Sequence, residues 1–370
     1  MKIAIIGSFI KKIPLEEGKI HTPLMLTHDL AIQLSNMGHD VTFFGRVDAS
    51  EQEKNPKLNY NDLSFDSNVN QAGFHASPII LQNLNIVLEQ SYFAEVLALN
   101  DFDLFYTWAG FLAGPLAKLA NKPVVLTHHD STNIEAYNLM FDSFGAANIF
   151  LIPISEYMRK IMTFPEERTL GVVHHGIKIN KSIQTDTPEN AFCWVGRVVP
   201  SKGLHTAIEI AKLNGLELKI IGQLSDSFAD VGDVSDYKRK IELMISEQKN
   251  IRFLGALSQE ATRKEIAASK GLIFPLEGTE SFALTVIEAI TAGVPVIASK
   301  KSPLTEIIDQ DKTGFLCSNI QEFSEAVKKI DDVNRSECRA IGEKKFSIET
   351  MANGYEREFQ AVLQRCKNNS

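Results

Sequence analysis

The chain has 370 residues, of which 44% are apolar and 23% charged, and its net charge is −8. That is ordinary globular composition at a length suited to two domains. The first 180 residues hold 13 basic and 19 acidic side chains and the remainder 25 and 27, a balance that argues against nucleic-acid partners and leaves at most peripheral membrane contact.

Lys2–Ile6 reads as a buried strand. Pro23–Met37 carries apolar residues at helical spacing (Leu26, Leu30, Ile32, Leu34, Met37), and Gly38 stands where a left-handed helix stop is wanted. Val41–Phe44 is the next strand. Residues 46–76 are polar, rich in Asn, Asp and Ser, and read as a long loop or small insertion. There follow a helix over 78–98, a strand at Leu104–Tyr106, a helix at 110–120 and a strand at Val124–Thr127. A helix near 133–143 and a strand at Ile149–Ile154 come next; Ser155 then opens a short helix, and Val172–Val173 reads as a last short strand.

Residues 180–190 (NKSIQTDTPEN) have the polarity of a linker, after which a second α/β series begins. Its strands are expected at Phe192–Val195, Leu218–Ile221, Ile251–Leu254, Leu272–Phe274 and Val294–Ala298. Its helices are expected at 203–213, 236–248, 258–269 and 283–292, with a final helix over 347–365. Alternation of buried strands and helices signals parallel α/β units. The expected fold class is therefore α/β, with two doubly wound Rossmann-like domains. In such folds ligands sit beyond the carboxyl ends of the strands, so a cleft between facing domains is expected. No run of about 18 apolar residues is present, which excludes a membrane-spanning helix. The chain starts MKIAIIGSFI with no cleavage-site pattern, and its four cysteines are scattered without a Cys-x-x-Cys pair. A reducing cytoplasm is the expected location.

Two segments carry chemistry. In Phe274–Lys300 (FPLEGTESFALTVIEAITAGVPVIASK) a buried strand gives way to a polar loop and then to a helix beginning near Phe282. The first turn of a helix offers N–H groups and a positive dipole end to an anion or a polar sugar edge. Glu280 lies just before that turn and Glu288 about two turns inside it. Taken alone, the two carboxylates fit either ligand hydroxyls or a favourable helix start plus a solvated Glu. In Cys193–Leu204 (CWVGRVVPSKGL) a strand runs into a Gly turn bearing Arg197, and Lys202-Gly203 opens a helix. Two cations there can hold a diphosphate, or can equally be a solvated basic loop. The spacing is not that of a Walker loop, and no Gly-x-Gly-x-x-Gly follows the first strand, so no cofactor is expected.

In order and spacing these segments resemble the family-4 glycosyltransferases of the GT-B fold: GRVxxxKG, then a Glu-Ser-Phe-Ala-Leu loop with seven residues between its glutamates, then AGVPVIAS. DKTGFL at 311–316 is a further family-like element. The resemblance implies a retaining, metal-independent transferase that moves a hexose-type sugar from a nucleoside-diphosphate sugar, taken as a UDP-sugar, to a glycan, lipid-linked or small-molecule hydroxyl. It implies an acceptor-side domain over 1–180, a donor-binding domain over 181–346 and a C-terminal helix over 347–370 that packs back on the first. It also implies that Glu280 contacts the donor sugar, Glu288 the ribose, Arg197 and Lys202 the diphosphate, and the backbone of Ser281, Phe282, Ala283 and Leu284 the donor. The resemblance also implies that no metal takes part.

The first half matches less closely. MGHDVTFF resembles the family's Gly-His-x-Val strand entry, and LTHHD at 126–130 follows a strand where the family places its active-site His. The resemblance aligns His129 there rather than His128. A lone His in such a place is otherwise a structural residue. VVHHGIKI at 172–179 has His175 and Lys178 in place of the family's Asn and Asp. After the first strand, where the family often has a Gly-Gly pair, this chain reads PLEEGKIHTP: His21-Thr22 takes the pair's place and Gly18 is the one glycine, a candidate donor contact. Three alternatives stay open: a non-catalytic sugar-nucleotide-binding relative, a UDP-sugar epimerase of the same fold, and a glycan phosphorylase or synthase relative, whose chains are usually much longer.

Overall fold

The structure, a computed structural model, describes residues 1–15, 21–61, 78–131, 133–143, 145, 148–180, 183, 188–228 and 231–368. The chain divides into two compact units, Met1–His175 with Ile348–Ser370, and Gly176–Ser347.

The first unit is built on six strands: β1 (Lys2–Ile6), β2 (Asp40–Phe44), β3 (Asn59–Asn61), β4 (Leu104–Thr107), β5 (Val124–Leu126) and β6 (Ile149–Leu151). They pair in the order β3-β2-β1-β4-β5-β6, all parallel. β4, β5 and β6 are buried along their whole length, which is why they read as continuous apolar runs rather than alternating ones. The helices are α1 (Thr22–Asn36), α2 (Ala49–Glu53), α3 (Pro78–Leu97), α4 (Gly110–Ala113), α5 (Ile134–Ser143) and α6 (Glu156–Ile161). His21 caps α1 by accepting from the Leu24 N–H at 3.3 Å, with proline in the first turn, and Gly38 lies just past its end at φ 94°.

The second unit repeats the plan. Its strands are β7 (Ala191–Val195), β8 (Glu217–Ile221), β9 (Ser227–Phe228), β10 (Gly232–Asp233), β11 (Ile251–Gly255), β12 (Leu272–Phe274), β13 (Val296–Ser299) and β14 (Gly314–Cys317). Six form a parallel sheet in the order β11-β8-β7-β12-β13-β14, and β9 and β10 form a separate antiparallel ribbon. The helices are α7 (Leu204–Asn214), α8 (Ser235–Ser246), α9 (Gln259–Ala268), α10 (Leu284–Thr291), α11 (Leu304–Ile307), α12 (Ile320–Lys329) and α13 (Arg335–Phe346). In each sheet the strand order reverses once, between β1 and β4 and between β7 and β12, and that switch point is where open parallel sheets receive ligands.

The last helix, α14 (Ile348–Asn368), belongs to the first unit. Met351, Tyr355, Phe359 and Val362 recur at helical spacing and join the core formed by β1, β2 and α1. Tyr355 OH meets Tyr106 OH at 3.3 Å, and Glu358 accepts the Gly171 N–H at 2.9 Å.

Several expectations need correction. The polar stretch from residue 46 contains α2 and the edge strand β3; β3 is Asn-Tyr-Asn, short and largely exposed, so it carries no apolar signal. The rest of that stretch, 62–76, lies outside the described residues. Val172–Val173 is not a strand: the chain runs extended beside β6, joined by a single bridge, Leu151 to Thr169. The helix expected over 110–120 divides at Gly114-Pro115 into α4 and a 3₁₀ turn, because proline cannot donate to the preceding turn. Between 299 and 346, where the pattern assigns no element, lie α11, β14, α12 and α13.

Phe359 is fully buried in the core that α14 completes. Phe359→Ala is expected to destabilise this unit by about 3–5 kcal/mol, read as a lower urea midpoint with an unchanged slope.

Candidate active site

At the switch point of the second unit two loops are clamped together. One follows β7 and carries Arg197 and Lys202; the other follows β12 and carries Glu280. Gly203 sits at φ 65°, and a Cβ there would lie 1.9 Å from the Pro275 carbonyl oxygen, so only glycine permits the approach. Ser201 O accepts the N–H groups of Glu277 at 3.0 Å and Gly278 at 2.9 Å. Lys202 O accepts from the indole of the fully buried Trp194 at 3.2 Å. With both loops fixed, the Lys202 ammonium pairs directly with the Glu280 carboxylate. Glu280 Oε1 also accepts the Ser281 N–H at 3.1 Å. Lys202 and Glu280 are 17% and 19% exposed, enough to meet a ligand yet shielded from full solvent screening.

Ser281, Phe282 and Ala283 are buried and lead into α10, which starts at Leu284, two residues later than its sequence pattern suggests. The delay has a backbone cause. Ala283 is left-handed at φ 66°, a conformation that costs an ordinary residue about 1–2 kcal/mol. It turns the chain sharply before the first helical N–H groups. Arg197 is exposed, with its guanidinium over the Phe228 ring at 5.9 Å, a cation–π contact to the small ribbon. Glu288, in the second turn of α10, pairs with Arg263 of α9 at 2.9 Å.

The carboxyl edge of the first sheet has a different character. His129 follows β5; its Nε2 lies 3.1 Å from Thr127 Oγ1, which in turn lies 3.1 Å from Tyr106 OH. His175 stacks on the His129 ring with centroids 4.8 Å apart and planes 13° apart. His128 is buried between Tyr137 and Phe141. His21, beyond β1, meets the edge of Trp108, beyond β4, at 4.8 Å. Burial lowers the pKa of His21 and His128 to about 4 and of His175 to about 3. Burial first, then the neighbouring imidazoles, holds His129 well below the ordinary value as well. All four rings are neutral at neutral pH. Gly18 lies outside the described residues.

Sequence reasoning did not single out Trp108, Tyr106, Tyr355 or Arg263. Tyr106 and Tyr355 are 249 positions apart and meet through packing that no local pattern announces. Two Asp-x-Asp triplets do occur: Asp309-Gln310-Asp311, which precedes β14 and whose Asp309 pairs with the Lys345 ammonium at 2.6 Å, and Asp101-Phe102-Asp103, which precedes β4 at the amino edge of the first sheet. There Asp101 pairs with the Lys2 ammonium, and Asp103 accepts the Lys2 N–H at 2.7 Å. Among the described residues no group of three His, Cys, Asp or Glu side chains is arranged to hold a metal ion. No helix among them is long and apolar enough to cross a membrane. Burial raises the thiols of Cys193, Cys317 and Cys338, which leaves them poor nucleophiles.

Comparison with known proteins bears on the fold. Solved structures share the whole architecture: Anabaena HepE in complex with UDP-glucose aligns at a TM-score of 0.69 and 17% identity over 98% of this chain and 100% of that one. AviGT4, a glycosyltransferase involved in avilamycin A biosynthesis, aligns at 0.68 and 16% identity over 98% of each chain. The chain therefore has the GT-B glycosyltransferase fold, with two parallel-sheet α/β units. Residues 177–346, nearly the whole second unit, are a glycosyl transferases group 1 domain. Among curated relatives, a probable sucrose-phosphate synthase of Thermosipho melanesiensis is 28% identical over 46% of this chain and 42% of its own length. An uncharacterized glycosyltransferase of Methanocaldococcus jannaschii is 25% identical over 72% and 78%. The N-acetyl-alpha-D-glucosaminyl L-malate synthase of Bacillus anthracis is 26% identical over 40% and 41%. The chain thus spans less than half the length of two of these three.

Two outcomes are expected. Gly203→Ala forces the β7 and β12 loops apart and should lower the melting temperature, with a larger loss than Gly215→Ala, whose Cβ would meet nothing within 4 Å at a similar φ of 62°. For pH, the sign follows from the lowered imidazoles. Unfolded histidines take up protons from about 6.5 downward, whereas His21, His128 and His175 resist until about 4, 4 and 3. Protonation then favours the unfolded chain. Stability should be unaffected by these groups above about 6.5 and fall as the pH drops from there toward 4. Urea midpoints at pH 7, 5.5 and 4.5 check this, and His175→Phe should flatten the slope.

Proposed function

We propose that this protein is a retaining glycosyltransferase that moves a hexose-type sugar from a nucleoside-diphosphate sugar, most simply a UDP-sugar, to a hydroxyl of a glycan, lipid-linked or small-molecule acceptor in the cytoplasm. The observation that carries the reading is the Lys202–Glu280 pair on the clamped loops, immediately before α10. A cation for phosphate, a carboxylate for sugar hydroxyls and a helix start meet there at the switch point of a parallel sheet. HepE is known in complex with UDP and with UDP-glucose, which favours the same donor class here.

In this reading residues 181–346 bind the donor, residues 1–180 serve the acceptor and residues 347–370 complete the acceptor side. Arg197 and Lys202 hold the diphosphate. As the glycosidic bond breaks, negative charge grows on the leaving phosphate, and these cations with the backbone N–H groups leading into α10 stabilise it. Lys202 has three donors, so it can turn to phosphate while keeping Glu280 as a neighbour. Glu280 receives hydroxyls of the donor sugar, and Glu288 the ribose. The neutral His129 offers an imidazole to a hydroxyl of the acceptor, oriented through Thr127. The acceptor oxygen bonds to the anomeric carbon on the face the phosphate leaves, the bond to phosphate breaks, and the phosphate oxygen takes the acceptor's proton. The charge of the diphosphate is met by side chains, so the reaction runs without a metal.

Thermal stabilisation by UDP, GDP, ADP and CMP, each with and without EDTA, tests the reading. A selective shift with one nucleoside diphosphate, unchanged by EDTA, is expected; no shift with any at millimolar concentration would overturn it. With the matching donor, Arg197→Ala and Lys202→Ala should each lower kcat by about 10²–10³, and an unchanged kcat would remove that residue from its role.

A further inference from the structure

Glu288 is the carboxylate assigned to ribose, yet in this structure one of its oxygens is already engaged. Arg263 of α9 donates from Nε to Glu288 Oε1 at 2.9 Å. The two side chains are 22% and 14% exposed, so the pair is shielded from solvent on most sides. Both line an open pocket of the second unit, whose apolar wall includes Ile177, Ile179 and Ala292. Among the described residues Glu288 is the polar partner of the Arg263 side chain, and the remaining guanidinium N–H groups belong to a side chain that lines the same pocket.

A glutamate on a helix surface samples several rotamers, and a ligand that needs one of them must offset the lost freedom. A guanidinium on a neighbouring helix removes part of that freedom beforehand, because its charged, planar Nε–H group holds one carboxylate oxygen in place. Nε occupies one lone-pair direction of Oε1. A carboxylate has about four such sites, so enough remain for a hydroxyl donor.

We propose that Arg263 is a positioning residue that holds the Glu288 carboxylate toward the 2′-hydroxyl of the donor's ribose and thereby sets the preference for ribose over 2′-deoxyribose. This rests on the nucleotide-sugar reading above. It goes beyond that reading by assigning a role to an α9 side chain and by fixing what that role discriminates. A purely structural ion pair between α9 and α10 would affect both sugars alike. A pair that aims the carboxylate affects only the nucleotide whose 2′-hydroxyl the carboxylate receives.

The test is calorimetric binding of UDP, 2′-deoxy-UDP, GDP and 2′-deoxy-GDP to the full chain, as wild type, Arg263→Ala, Arg263→Lys and Glu288→Gln. For the base the protein accepts, wild type should favour the ribonucleotide by about tenfold, the worth of one hydrogen bond to a charged group. Arg263→Ala should bring that ratio close to one by weakening the ribonucleotide while leaving the deoxynucleotide within about twofold, and Glu288→Gln should do the same. Arg263→Lys keeps the charge but not the planar donor and should fall between; it also guards against a misfolded alanine variant, as do melting temperatures of all four proteins. Equal weakening of both nucleotides, an unchanged ratio, or tighter ribonucleotide binding after Arg263→Ala would overturn the proposal and leave the nucleotide-sugar reading standing. No binding of any of the four by wild type would overturn that reading itself, and this proposal with it.

Discussion

The carboxyl edge of the second sheet depends on how closely two backbones can approach. Gly203, the cap of α7 on the loop that follows β7, meets Pro275, just past the end of the neighbouring strand β12, with no room for a Cβ between them. Each further contact follows from that one. Ser201 can take two N–H groups from the opposite loop only because the loops touch. Glu277 is then held by Thr206 and by His205 at 2.9 Å, and His205 by Tyr237 at 2.9 Å, so α7, α8 and the β12 loop share one polar network. Lys202 reaches Glu280 across 78 positions of sequence because both sit on this clamp. Strain at Ala283 is tolerated in the same place, where surrounding structure over-determines the backbone.

The two units present opposite chemistry at corresponding edges. The second offers Arg197 and Lys202, cations suited to phosphate. The first offers imidazoles that burial keeps neutral, linked to Thr127, Tyr106 and Tyr355 in a chain of hydroxyls. Buried hydroxyl–imidazole chains strengthen one another in a low-dielectric surround, provided each member is paired. Such an edge suits uncharged hydroxyls and disfavours phosphate. The same dehydration that keeps His129 neutral ties the ring to acid instability, so the property useful for recognising hydroxyls is also one the fold must sustain energetically.

The alternation of strands and helices and the order of motifs in the second half were legible because they are local. Cys193–Leu204 and Phe274–Lys300 each contain a strand, a loop and a helix start within one short window. What was not legible depends on neighbours distant in sequence. The edge strand β3 is polar and pairs only on one side with β2, so neither apolar period nor composition marks it. His175 read as a departure from the expected Asn; its stacking on His129 arises where the chain runs extended past β6, which no pattern at 172–179 predicts. Arg263 looked like any charge on an amphipathic helix. Its partner lies 25 positions away, on a helix that packs beside it. Glu280 and Glu288 were legible as residues but not as pairs, since a carboxylate's partner is a fact of tertiary structure.

Those pairs change how ligand binding at α10 should be understood. Each glutamate is matched to a cation from a different element, Glu280 to Lys202 and Glu288 to Arg263. The site therefore does not wait with bare positive charge. On the proposed reading, a diphosphate entering it would exchange one oxygen partner of Lys202 for another, and a sugar hydroxyl would take up lone pairs that the cations leave. Such an exchange costs less desolvation than stripping water from an isolated ammonium or carboxylate, because each charge has already been partly removed from solvent and compensated. It also restrains affinity, since every new ionic contact competes with an existing one. For a transferase that is a useful constraint: contacts that tighten only as charge moves onto the leaving phosphate lower the barrier, whereas contacts made equally in the ground state do not.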